Sequence, residues 1–186
     1  MPSNRSRREL LDTVLSISAA VVAGCALVVT TYQTKIMREQ QRASAWPYLN
    51  LYNSNANGAQ LFVQNVGLGP ALVRSVEVSV DGKLVRTYGE MLRAVARSDT
   101  GLSTQNIKWD VGRGSVLLPG VPLEMYRLTS PDTLVQQLHR ADNQDRVVRR
   151  ICYCSLYEDC WLADSHAAEP VAVRTCVIDT ARAFRG

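Results

Sequence analysis

Hydrophobic and polar residues follow two regimes along this chain: one long apolar run near the N-terminus, then short alternating segments. The run, Leu10 to Tyr32, reads LLDTVLSISAAVVAGCALVVTTY, and from Val14 to Thr31 eighteen consecutive residues carry no charge. As a helix rising about 1.5 Å per residue, the stretch reaches roughly 35 Å, against about 30 Å for the hydrocarbon core of a bilayer. The pattern predicts a transmembrane helix over 10–32 behind a cytoplasmic tail of residues 1–9. A buried core helix is the competing reading, and the short basic tail ahead of the run weighs against it. Gln33 to Ser44 is rich in helix formers and free of Gly and Pro, so a solvated helical stalk is expected over 33–45. Trp46-Pro47-Tyr48 ends it, because a proline pushes the preceding residue toward extended geometry.

Beyond residue 46 the period changes to two. Tyr48–Tyr52 and Leu61–Val66 bracket the turn-rich Asn53–Gly58, a hairpin signature. From Leu72 to Val80, Val76, Val78 and Val80 face one way and Ser75, Glu77 and Ser79 the other. Asp81-Gly82 then turns the chain into Lys83–Tyr88, Asp-Gly being the strongest short hairpin signal. A short helix is expected over Glu90–Arg97 and a polar excursion over Ser98–Arg113. Strands resume at Ser115–Leu118 and Leu123–Leu128 around Pro119-Gly120. Ser130 and Pro131 read as N-cap and first position of a helix with Leu134, Val135 and Leu138 on its apolar face. Three more strands are expected near 146–157, 160–163 and 171–178. Many short strands with small helices inserted predict a mainly β domain, a β-sandwich over 46–180, with a C-terminal tail over 181–186.

Within the apolar run, Ser16, Ala20 and Gly24 recur every four residues, the small-residue spacing that lets a second transmembrane helix approach closely. They are the candidate helix-packing residues, toward another membrane protein or a second copy of the chain. A cleaved signal peptide would have a shorter apolar region. Val22-Ala23-Gly24-Cys25 resembles a bacterial lipoprotein box with Cys25 as the lipidated residue, but apolar residues follow the cysteine where polar ones are normal.

The net charge of +4 is unevenly placed. Residues 1–45 hold six basic and three acidic side chains, and the remainder holds 15 and 14. A near-neutral domain without a basic stripe argues against nucleic acid as partner, and the excess lies where anionic head groups would meet it. Arg5, Arg7 and Arg8 precede the run while Lys35, Arg38 and Arg42 follow it, so the positive-inside count is level. The short N-terminal tail and four cysteines in the domain, which suit an oxidising compartment, place the N-terminus in the cytoplasm and the domain in the periplasm.

Asn65-Val-Gly-Leu-Gly-Pro-Ala71 lies between two strands, so a dinucleotide-binding reading, which needs a helix next, fails. Asn65, Gly67, Gly69 and Pro70 are read as a structural turn, the glycines supplying positive φ and Pro70 rigidity. This stretch, with Val76–Gly82, Leu118-Pro-Gly120 and Cys152-Tyr-Cys-Ser-Leu-Tyr-Glu-Asp-Cys-Trp161, resembles uncharacterised bacterial single-pass envelope proteins with an immunoglobulin-like periplasmic domain. They share the N-x-G-x-G-P-A turn and the cysteine-rich hairpin. The resemblance covers most of 46–180 and implies fold and location, with no catalytic residues to carry over.

Cys152, Cys154, Cys160 and Cys176 have two main readings. As four thiolates they could hold zinc, but the spacing fits poorly with the usual C-x2-4-C pairs. As disulfides, Cys152 and Cys154 point to one face of a strand about 7 Å apart and should not bond to each other. Two connectivities remain, Cys152–Cys160 with Cys154–Cys176, or Cys152–Cys176 with Cys154–Cys160. The second is favoured because Cys154–Cys160 closes a short hairpin. His139 and His166 are the only histidines, and Asp164-Ser165-His166 is contiguous, the wrong geometry for a triad. No cofactor is implied. The expectation is a membrane-anchored, non-enzymatic binding or accessory subunit of an envelope complex, the alternatives being a periplasmic immunity protein or an envelope hydrolase.

Overall fold

The computed structural model describes residues 4–97, 111–177 and 183–184, the side chains of 4–8 excepted. Most of the polar excursion expected at 98–113 and the end of the last expected strand therefore lie outside the described residues, as do the side chains of the N-terminal arginines. The chain divides into two compact units, Met1–Ala43 and Ser44–Gly186.

Helix α1 (Asn4–Ser44) accounts for the first unit. Span and stalk form one uninterrupted helix, long and apolar enough to cross a membrane. From Glu9 onward its side chains are exposed. Six of its hydroxyls bond the helix's own carbonyls: Thr13 donates to the Glu9 carbonyl, Ser16 to Asp12, Ser18 to Leu15, Thr30 to Ala26, Thr31 to Val28 and Thr34 to Thr30. Such i−3 and i−4 bonds spare these six the need for water.

The second unit is mostly β. Strands β1 (Leu49–Ser54), β2 (Ala59–Asn65), β3 (Ala71–Val80), β4 (Lys83–Val85), β5 (Val116–Leu117), β6 (Pro122–Leu128), β7 (Val147–Cys154), β8 (Cys160–Asp164) and β9 (Val171–Val173) form two antiparallel sheets. One runs β1-β2-β6 and the other β4-β3-β7-β8-β9, with β5 alongside β3. Asp81 and Gly82, at φ 50° and 77°, make the β3–β4 turn with both central residues left-handed, as an Asp-Gly hairpin requires. Helix α2 (Tyr88–Ala96) starts earlier than its apolar pattern suggests. Thr87 caps it by accepting the Glu90 N–H, and Glu90 in turn accepts the Arg86 N–H. Helix α3 (Asp132–Asn143) starts later, because Pro131 is extended and takes the capping position expected of Ser130.

Alternation assigns the faces. Leu61 and Val63 of β2, Met125 and Leu128 of β6, Val73, Val76 and Val78 of β3, and Val147, Ile151 and Tyr153 of β7 enter one core with the apolar faces of α2 and α3. The Tyr153 hydroxyl accepts the Leu49 N–H at 3.2 Å, joining the two sheets. Phe184, assigned by pattern to a tail, is buried against Tyr88, and its N–H reaches the Val76 carbonyl between β4 and β5.

The core also holds a charge. Arg149, 2 % exposed on the inward face of β7, donates to Asp142 of α3 at 2.7 Å and to the Tyr126 hydroxyl of β6 at 2.6 Å. Its guanidinium also lies 5.3 Å from the Tyr126 ring centre. The three elements are thus fastened at one point. Arg149→Ala would leave the Asp142 carboxylate buried without its counter-charge and should cost about 3–5 kcal/mol. Arg149→Met with Asp142→Leu should cost less than Arg149→Ala alone. Urea unfolding of the full chain in detergent, followed by tryptophan fluorescence, measures both.

Burial pushes the Tyr88 and Tyr126 hydroxyls far up and Tyr153 up to about 12, the Leu49 N–H opposing the last shift. Unfolded tyrosines lose their protons near 10. Between pH 10 and 12 the unfolded chain therefore binds fewer protons than the folded one, and stability falls as pH rises. Tyr153→Phe should flatten that fall by roughly 1 kcal/mol per pH unit, read as the unfolding midpoint from pH 9 to 11.5.

Candidate functional site

Two places in the domain concentrate specific chemistry: the junction where α1 ends, and the outer face of the six-stranded sheet.

At the junction, the loop Asn65–Pro70 grips the segment that follows α1. Val66 donates to the Tyr48 carbonyl at 2.8 Å, and Leu68 and Gly69 both donate to Trp46 at 2.9 and 3.2 Å. Asn65 is fully buried and organises the rest. Its Oδ1 accepts the N–H groups of Tyr48 and Gly67, and its Nδ2 donates to the carbonyls of Gly69 and Leu117. The Pro119-Gly120 turn joins the same knot, since Gly120 donates to the Asn65 carbonyl. Asn65, Gly67, Gly69 and Pro70 do form a turn, but the reason for the glycines differs from the expected one. Positive φ occurs at Gly58, Gly82, Gly114 and Gly120, and neither Gly67 nor Gly69 has it. What they supply is closeness. A Cβ on Gly69 would collide with the Ala45 carbonyl, and one on Gly67 with the backbone of Trp46 and Tyr48. Around this clamp Trp46, Val66, Leu68, Leu118 and Val121 stay exposed, an apolar rim along two adjacent turns.

On the outer face of the larger sheet, β7 presents Cys152 and Cys154, opposite in direction to Arg149, Ile151 and Tyr153. Cys152 bonds to Cys176 and Cys154 to Cys160. The short bridge closes the β7–β8 hairpin. The long one ties the segment after β9 to β7 on this face, and the last ladder stops at Val173, whose partner Cys160 is the first residue of β8. The four cysteines, with Leu162 and Val173, make a small cluster apart from the main core. The sulfurs of Cys154, Cys160 and Cys176 lie within 4.8 Å of one another. In disulfides they carry no thiolate charge, which a structural zinc site needs. Two cavities open here. One, of about 300 Å³, is lined by Arg74, Glu158, Arg174, Thr175, Cys154, Cys160 and Cys176. The other, of about 230 Å³, lies between Ser75, Glu77, Arg150, Cys152 and Val177.

The remaining candidates disperse. Ser16, Ala20 and Gly24 lie on α1; a Cβ on Gly24 would meet nothing within 4 Å. Cys25 is a free, exposed thiol in the same helix. His166 reaches Asp145 at 3.6 Å, and the Ser165 hydroxyl accepts the Arg149 N–H. Those contacts belong to the end of β8 and do not set a histidine on a nucleophile. Pattern reading missed the Arg149–Asp142–Tyr126 cluster. The signal was present: Arg149 occupies an inward position in the alternation Val147, Arg149, Ile151, Tyr153.

A family model described as "Domain of unknown function (DUF8453)" matches residues 13–158, most of α1 and the domain through the β7–β8 turn. No curated protein matches the chain, and no solved structure does.

The clamp makes a local prediction. Gly69→Ala should destabilise the domain by about 1–3 kcal/mol through forced displacement of Ala45. Asn65→Ala should cost about 2–4 kcal/mol, since several buried bonds worth roughly 1 kcal/mol each are lost together. Both should speed proteolysis between Ala45 and Tyr48, whereas Gly24→Ala should leave it unchanged. Limited proteolysis of the full chain in detergent reads the difference.

Proposed function

From the premise that this chain belongs to the DUF8453 family, we propose that it is a single-pass membrane protein whose folded domain serves as a non-enzymatic binding or accessory subunit of an envelope complex. The N-terminus lies in the cytoplasm and the domain in the periplasm. The observation that carries this reading is the presence on one chain of an exposed apolar helix long enough to cross a membrane and of a domain closed by two disulfides. A helix whose hydroxyls bond its own carbonyls suits a lipid environment, and paired disulfides suit an oxidising one.

The domain is proposed as an immunoglobulin-like sandwich. Relabelled in that fold's order, β1, β2 and β6 take the places of strands A, B and E, and β4, β3, β7 and β8 those of C′, C, F and G. This agrees with the resemblance of the Asn65–Ala71 turn and the Cys152–Trp161 hairpin to envelope proteins of that architecture. Sandwiches of this kind bind through loops and edges, and the apolar rim around the clamp supplies a surface of that sort at the junction. Ser16, Ala20 and Gly24 give the helix a face for a second transmembrane segment.

Two measurements on the intact chain test this. A reporter active only in the periplasm, fused after Gly186, should be active; activity of a cytoplasm-only reporter there would overturn the orientation. Native electrophoresis of detergent extracts should show the chain in a complex larger than itself. Gly24→Leu should weaken that association by about tenfold, or about 1.4 kcal/mol, without reducing insertion. A monodisperse single chain at all concentrations would overturn the subunit reading.

A further inference from the structure

The two disulfides are not independent staples. Cys154 Sγ and Cys176 Sγ, which belong to different bridges, are 3.8 Å apart with no atom bonded between them. Their shared space opens into the cavity lined by Arg74 and Arg174. Arg74 reaches it through an irregularity in β3: Val73 pairs with Tyr153 and Ser75 with Cys152, leaving Arg74 as the extra residue of a bulge. Bulges re-aim side chains in this way. Among the described residues neither guanidinium has an ion-pair partner. Among the described residues lining the cavity, Glu158 is the one carboxylate beside two guanidinium groups, so this lining is net positive.

We propose that this cavity is a thiol–disulfide exchange site for an anionic low-molecular-weight thiol, and that the two bridges act in it as one relay. The ligand's carboxylates meet Arg74 and Arg174, and its thiolate attacks the Sγ of Cys160, which lines the cavity and as a residue is less deeply buried, at 8 % exposure, than Cys154 at 3 %. A bond forms between the ligand sulfur and Cys160, the Cys154–Cys160 bond breaks, and its electron pair leaves on Cys154 Sγ. The Cys154 thiolate then attacks Cys176 Sγ across the 3.8 Å gap. Cys154–Cys176 forms, Cys152–Cys176 breaks, and Cys152 leaves as a thiolate that takes a proton from water. One thiol is consumed and one is released, so no external oxidant or reductant is required. A covalent adduct in the cavity is thereby converted into a free Cys152 on the same face of the sheet. Exchange of this kind needs an accessible sulfur and a nearby second acceptor, and positive neighbours raise the thiolate fraction.

The test uses the oxidised full chain in detergent micelles. Glutathione, which is anionic, and 2-mercaptoethanol, which is neutral, are added at equal thiolate concentration. Samples are quenched in acid, alkylated and mapped by non-reducing peptide mass analysis. The expected products are glutathione on Cys160, a Cys154–Cys176 bridge and an alkylated Cys152. Glutathione should react about tenfold faster than the neutral thiol, the scale of electrostatic enrichment in a charged cleft. Arg74→Gln with Arg174→Gln should bring the two thiols to parity, and Arg74→Lys with Arg174→Lys should restore the preference. The wild-type comparison stands even if a variant does not fold. Loss of the two bridges without any Cys154–Cys176 product, or equal rates for the two thiols on the wild-type chain, would overturn the proposal.

Discussion

A guanidinium in the core constrains the domain more than any other single group. Arg149 cannot be left unpaired away from water, so Asp142 must be brought to it, and with Asp142 comes the last turn of α3. The Tyr126 hydroxyl, from the opposite sheet, supplies a second acceptor. One side chain therefore fixes the position of a helix and the separation of two sheets. Tyr88 stacks edge-on against Tyr126, and Phe184 against Tyr88, so α2 and the final described residues are tied to the same centre.

That constraint also decides what happens on the outside of the sheet. A strand has a period of two, so holding Arg149 and Ile151 inward obliges Cys152 and Cys154 to face outward. The cysteines then bond over the sheet's outer surface and not within the core. The bulge at Arg74 switches the parity of β3, keeping both Val73 and Val76 inward while Arg74 and Ser75 face the sulfurs. The chemistry of the outer face is thus a consequence of packing on the inner one.

The junction with α1 obeys a different economy, that of backbone against backbone. Asn65 replaces missing main-chain partners with its own amide, and Gly67 and Gly69 allow the loop to lie directly on Ala45–Tyr48. Bonds from Val66, Leu68 and Gly69 to the carbonyls of Trp46 and Tyr48 hold this stretch against the loop through main-chain groups.

The sequence by itself determined the elements governed by local periodicity. Eighteen uncharged residues can only be a long apolar helix, alternation marked most strands, and Asp81-Gly82 dictated its turn because few other residues tolerate φ above zero. The same-face argument for Cys152 and Cys154 ruled out a bond between them, and the favoured pairing is the one present in the structure. Only the tertiary structure decided the reason for Gly67 and Gly69, the partner of Arg149, the place of Phe184 and the meeting of Arg74 with the two disulfides. Each depends on groups far apart in the chain. Periodicity reports which face a residue occupies, and says nothing about what arrives on that face from elsewhere.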